Sequence, residues 1–131
     1  MDELNFFGED VVFDHAGLVV ASIKEVVPDA QPTVDMVQRV SVVFVNLHGV
    51  RTELIEPLNA ESPVHRNLEE GRPLAHLCFC VPNLDAALVY GRENGFHLIG
   101  KPTPAPAFGD QLIAWVYSRI YGLFELVEKR E

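Results

Sequence analysis

Leu74-Ala75-His76-Leu77-Cys78-Phe79-Cys80-Val81, followed at once by Pro82-Asn83-Leu84-Asp85-Ala86-Ala87-Leu88, is the stretch from which the rest of the chain can be read. Eight residues whose only ionisable side chains are one imidazole and two thiols predict a buried strand. Asn83 is a preferred N-cap residue. Leu84, Ala87, Leu88 and Gly91 follow at i, i+3, i+4 and i+7, which predicts a helix over 84–94 ended by Gly95. A lone histidine inside such a strand is ordinarily a core residue with its polar atoms satisfied. His76 is not alone. Setting His15 on His76, at an offset of 61, puts Val20 on Val81, Ser22 on Asn83, Ile23 on Leu84 and Val27 on Leu88. Strand, cap and first helical residues recur together.

A second motif recurs in the same order. Thr52-Glu53-Leu54-Ile55-Glu56 matches Phe124-Glu125-Leu126-Val127-Glu128 at an offset of 72, so each half carries a His in its first strand and a Glu in its last. His15 and Glu53 are 38 residues apart, His76 and Glu125 are 49 apart, and the first half is therefore 11 residues shorter. Pro28 and Pro32 mark the place, since proline ends a helix. A stunted helix after Ser22 and a short or missing second strand are expected there.

The remaining elements fill in around these motifs. Val11 to Val20 reads as a strand, and Val40 to Leu47, rich in β-branched residues, as another. His48-Gly49 is a turn signal, and Arg51 to Glu56 returns as the hairpin partner. Ser62-Pro63 predicts an N-cap and first helical residue for a short helix over Pro63 to Glu70. Phe96 to Ile99 reads as a short strand, Pro102 to Pro106 as a stiff extended loop, and Gln111 to Tyr117 and Leu123 to Glu128 as the last two strands. The expected fold class is α+β. Two βαβββ modules, about 11–58 and about 74–128, form a curved mixed sheet around a metal or ligand cavity, the first module shortened, in one domain spanning 1–131.

Side chains two apart on a strand share a face. A duplicated unit can thus turn His15, Glu53, His76 and Glu125 into one concave site. Two imidazoles and two carboxylates suit a divalent Zn, Mn, Co, Ni or Fe ion. Burying them without a cation would be costly. Glu56 and Glu128 fall on the opposite strand face and are expected to be solvated or to cap the helix layer. Cys78 and Cys80 share the face of His76 and read as small buried hydrophobes. Two apart on one strand, they cannot pair without severe strain. Trp115 and Tyr117 form pocket wall or core. Phe108-Gly109-Asp110 is a candidate lid hinge. His48 and His97 are expected at the surface, as are His65 and Arg66, with contact to an anionic substrate group as the lesser alternative for the last two.

Composition sets outer limits. The chain has 131 residues, 48% of them hydrophobic, and a formal net charge of −9. That balance argues against a nucleic-acid or anionic-membrane partner, and no apolar run approaches the roughly 20 residues of a membrane helix. Reduced thiols and no signal peptide point to the cytoplasm. Phe6-Phe7 is expected to pack either on the domain or on a neighbouring chain.

Phe13-Asp14-His15-Ala16-Gly17, Ser41-Val42-Val43-Phe44-Val45-Asn46-Leu47, Glu53-Leu54-Ile55-Glu56-Pro57-Leu58 with Ser62-Pro63, Ala75-His76-Leu77-Cys78-Phe79 and Gly122-Leu123-Phe124-Glu125-Leu126 together resemble the vicinal oxygen chelate superfamily, which includes glyoxalase I, methylmalonyl-CoA epimerase, extradiol dioxygenases and antibiotic-resistance proteins. The resemblance runs from Phe13 to Glu128 and is greatest to the epimerase branch. It implies metal ligation by His15, Glu53, His76 and Glu125, with Zn, Co, Mn or Ni as the ion. A fourth ligand disfavours a non-haem iron dioxygenase. It implies a small-molecule substrate such as an acyl-CoA thioester, and a homodimer. The chain departs from the epimerase pattern in having no Asp or Glu over Gln38 to Leu47 and no His-Pro-Lys-type turn before the last strand. Without an acid on that strand, Glu125 or Glu53 is the candidate base. The resemblance thus implies a metal-dependent isomerase or epimerase. A glyoxalase I-like lyase and a non-catalytic small-molecule-binding or resistance protein are the alternatives.

Overall fold

The computed structural model describes residues 1–130. The chain divides into two compact units. One comprises His15–His76 and Ala105–Asp110; the other comprises Met1–Asp14, Leu77–Pro104 and Gln111–Glu131.

The first unit carries β1 (Val12–Val19, from His15 onward), α1 (Ile23–Val26), β2 (Thr33–Asp35), β3 (Val40–Leu47), β4 (Val50–Pro57) and α2 (His65–Glu69). Its strands lie in the order β2-β3-β4-β1. The β3–β4 hairpin closes at His48-Gly49, both at positive φ (53° and 90°), as a two-residue turn between twisted strands demands. β1 runs parallel to β4, with Gly17 opposite Glu53. The first module is shortened where the prolines indicate. α1 is a single turn, capped by the Ser22 hydroxyl, which accepts the Glu25 N–H at 3.3 Å, and β2 has three residues. Val19, Val40, Val42 and Ile55 form the core under Val64, Leu68, Ala75 and Ala107.

One expected cap is absent. α2 starts at His65 rather than Pro63, and the Ser62 hydroxyl does not cap it. The Ser62 carbonyl accepts the His65 N–H at 3.0 Å instead, and its buried Oγ has no hydrogen-bond partner among the described residues. A turn through Pro63-Val64 leaves the carbonyl facing the helix amides.

The second unit carries β5 (Leu74–Val81, from Leu77 onward), α3 (Leu84–Glu93), β6 (His97–Ala105), β7 (Gln111–Ser118) and β8 (Gly122–Glu128). Its strands lie in the order β5-β8-β7-β6. Matching β6-β7-β8-β5 to β2-β3-β4-β1 reproduces the duplication inferred from the two motifs. The Asn83 side chain accepts the Ala86 N–H at 2.9 Å and starts α3 as expected. Leu84, Ala87 and Gly91 are buried on its inner face, against Val81, Phe96, Ala114, Val116 and Leu126. Phe7 completes this core, so the Phe6-Phe7 arm packs on its own chain.

The proline-rich segment differs from expectation. Pro102 and Pro104 lie inside nine-residue β6, not in a loop, and a 3-10 turn over Pro106–Phe108 follows. β6 is the last strand in its order, and an edge strand tolerates residues that donate no hydrogen bond. Among the described residues, no helix is long and apolar enough to cross a membrane.

Candidate metal centre

The centre is built from the burial pattern of β1. Burial alternates from His15 onward, and His15, Gly17 and Val19 point to the covered face. Glu53 stands opposite Gly17 on parallel β4 and shares that face. His76 comes from the start of β5. His15 is 0%, His76 4% and Glu53 7% exposed. These three expected residues come together. The two Nε2 atoms are 3.3 Å apart, and Glu53 Oε1 lies 3.4 Å from His15 Nε2 and 3.7 Å from His76 Nε2.

The arrangement fits a divalent cation. Bonds of about 2.0–2.2 Å from an ion to nitrogen and oxygen place neighbouring donors roughly 3.0–3.5 Å apart, near the edges seen here. The two nitrogens and the carboxylate oxygen converge in a buried space, where three acceptor-type atoms repel unless protons or a cation lie among them. His15, Glu53 and His76 are therefore suited to hold a metal, a chemistry of nitrogen and oxygen donors open to Zn, Co, Mn or Ni.

Glu125 belongs to the second unit and is 3% exposed. Its setting repeats that of Glu53. Glu125 stands opposite Cys78 on the parallel neighbour, two residues past His76, as Glu53 stands opposite Gly17, two past His15. Each glutamate also faces an aromatic residue across its antiparallel pair, Phe44 for Glu53 and Trp115 for Glu125.

Phe44 had not been singled out. Its ring meets His15 edge-on at 5.1 Å and lies 5.8 Å from Phe108, which is itself 5.6 Å from His15. The Arg51 guanidinium sits 4.0 Å over the Phe44 ring. The signal was present in the sequence. Counting outward from the two-residue turn at His48-Gly49 sets Phe44 against Glu53. Phe108 precedes Gly109 and Asp110, both at positive φ (62° and 65°), where the 3-10 turn ends.

A buried acid also escaped notice. Asp35 ends β2 and is 5% exposed, but Gln38 occupies it, donating its backbone N–H to Oδ1 and its amide to Oδ2, both at 3.0 Å. It pairs with Val40, four residues along β3 from Phe44, or about 13 Å. No acid lies on β3 itself.

Other candidates fall into structural roles. Glu56 Oε1 accepts the Ile23 N–H at 2.7 Å and Glu128 Oε2 accepts the Leu84 N–H at 2.9 Å, so both cap helices, one of the two roles expected. His65 and Arg66 pair along α2 with Glu69 and Glu70 at 3.1 and 3.0 Å. His48 and His97 are exposed. Neither cysteine is in a disulfide, and Cys78 is buried. Burial first, and then the Asp14 carboxylate, push the Cys80 thiol above its usual range, while Lys129 pulls it partly back.

A family model described as the glyoxalase/bleomycin resistance protein/dioxygenase superfamily matches residues 12–115. The uncharacterized protein YqjC of Bacillus subtilis is 38% identical over 117 residues, covering 81% of this chain and 82% of that protein. The mitochondrial methylmalonyl-CoA epimerase of Mus musculus is 37% identical over 95 residues, covering 71% of this chain and 50% of the epimerase. The matched region thus spans about half the length of that relative. Among solved structures, the hypothetical protein BH1468 of Bacillus halodurans superposes with a TM-score of 0.77 at 26% identity, over 94% of this chain and 97% of the other.

Proposed function

Because the chain belongs to the glyoxalase/bleomycin resistance/dioxygenase superfamily, we propose that it is a metal-dependent isomerase or epimerase that removes the proton beside a carbonyl or thioester group. The observation carrying this reading is the convergence of His15, Glu53 and His76 in a buried space. The likeness to methylmalonyl-CoA epimerases supports it and suggests an acyl-CoA thioester as substrate. Glu125 completes the ligand set in this proposal, supported by a strand register that repeats that of Glu53. A bound divalent ion would polarise the substrate's carbonyl oxygen and make its neighbouring carbon acidic.

The remaining work belongs to the chain. His15 and His76 supply neutral nitrogen donors and Glu53 a negative charge. Glu125, or failing that Glu53, takes the proton from the carbon; epimerisation then needs a proton delivered to the opposite face, which comes from solvent because β3 offers no acid for a second base. Phe44 and Phe108 pack against His15, and so keep water from that side of the proton transfer. A working unit of two chains is part of the proposal but draws no support from Phe6-Phe7, which is used internally.

The test is solvent deuterium exchange at the α-carbon of an acyl-CoA panel that includes methylmalonyl-CoA, with protein loaded in turn with Zn, Co, Mn and Ni. Metal-dependent exchange is expected. Absence of exchange with every metal would overturn the epimerase reading. A glyoxalase I-like lyase is the second reading, favoured by the absence of an acid on β3. Turnover of a glutathione–methylglyoxal adduct separates the two.

A further inference from the structure

Gly17 lies on the site-facing side of β1, two residues past His15 and opposite Glu53. Its φ is not in the left-handed region, so the backbone does not call for glycine. Glycine inside a strand weakens it and often marks a close approach of another group. That group is the His76 imidazole. A Cβ at position 17 would stand 2.6 Å from His76 Nδ1 and 3.0 Å from Nε2, with Cε1 nearer still. Contacts this short do not occur, and the ring is fixed on two sides, with Nε2 held 3.3 Å from His15 and 3.7 Å from Glu53. The equivalent position in the other module, opposite Glu125, is Cys78, so the duplication does not impose glycine here.

We propose that Gly17 is a positioning residue for His76: the missing side chain at this point of β1 sets where the His76 donor nitrogen comes to rest beside His15 and Glu53, and with it the affinity for a divalent cation. The part concerning affinity rests on the reading of His76 as a metal ligand. The part concerning position does not. With a methyl group at 17 the ring must rotate or withdraw, and Nε2 leaves the other two donors. Displacing a group that orients a metal ligand typically lowers affinity roughly 10–100-fold.

Two measurements on the full chain test this. In the first, Co(II) is titrated into the wild type and Gly17→Ala, followed by visible absorption and equilibrium dialysis. At least a tenfold loss of affinity is expected in the variant. Equal affinity overturns the proposal while leaving the metal site intact. No Co(II) binding by the wild type sinks the metal reading instead. The second needs no metal. Thermal unfolding of Gly17→Ala, His76→Ala and the double variant forms a mutant cycle. If the methyl group harms the protein by meeting the imidazole, the double variant is no less stable than His76→Ala alone. Additive losses mean that alanine at 17 disturbs β1 itself, and the positioning role fails.

Discussion

Glu125 is where the proposed chemistry and the shared register meet, and it makes the sharpest single-residue prediction. Glu125→Gln keeps the shape and an oxygen donor but removes the base, so α-proton exchange should fall at least 100-fold. Full exchange in this variant rules the role out. Circular dichroism should be unchanged, which separates lost chemistry from lost fold. At the other end of the reactivity scale is Cys80. Burial and Asp14 hold its proton, so the thiolate fraction at pH 7–8 is smaller than for a solvent thiol. Labelling by iodoacetamide should be slower than for a cysteine-containing peptide, with the rate rising only at more alkaline pH. Labelling at the peptide rate would contradict the assigned environment. The four candidate ligands were legible because two pairs of motifs recur in one order. Gly17 was not. A glycine after a strand histidine says nothing until the ring from another strand is seen resting on it. Phe44 stood between these cases, because only a confident two-residue turn lets opposite residues be counted.

At the scale of elements, the Glu-Leu-(Ile/Val)-Glu motifs do two jobs on one strand. The first glutamate of each is buried and the last holds a helix N-terminus, a split that strand alternation imposes on residues three apart. Glu128→Ala removes the acceptor for the Leu84 N–H and should cost about 1–2 kcal/mol in urea unfolding. Glu56→Ala should cost less, because α1 is one turn long and little structure depends on its start. Equal losses would mean that these carboxylates stabilise through something other than the helices they cap. Most elements were readable from pattern and punctuation, including the stunted α1 and three-residue β2. Two were misjudged for physical reasons. Proline marks a loop only where a strand needs donors on both sides, and β6, as an edge, does not. Ser62 has the right type for a cap, but its carbonyl turned out to be the group facing α2.

For the molecule as a whole, the proposed cation site would link binding to folding. An ion that binds the folded state alone stabilises it by about 2.7 kcal/mol at a hundred times its dissociation constant. At roughly 2–4 °C per kcal/mol, removing the metal with a chelator should lower Tm by on the order of 8 °C, restored by re-addition. An unchanged Tm across all four metals would argue that nothing binds. Duplication and fold class were legible because periodicity, caps and motif order all pointed the same way. The arm that buries Phe7 against Phe96 and Gly91 was not, since two phenylalanines in a polar leader fit a partner as well as they fit the chain's own core.

β6 carries a last consequence. An exposed sheet edge offers a row of amide and carbonyl groups to any passing strand, the usual start of intermolecular aggregation. Residues two apart turn their backbone nitrogens the same way. Pro102 and Pro104 therefore blank consecutive donor positions on one side of that edge. In the first unit the order begins at β2, only three residues long, too short a template to hold an incoming chain. Strand brevity, the missing donors and a net charge of −9 all oppose strand-on-strand aggregation.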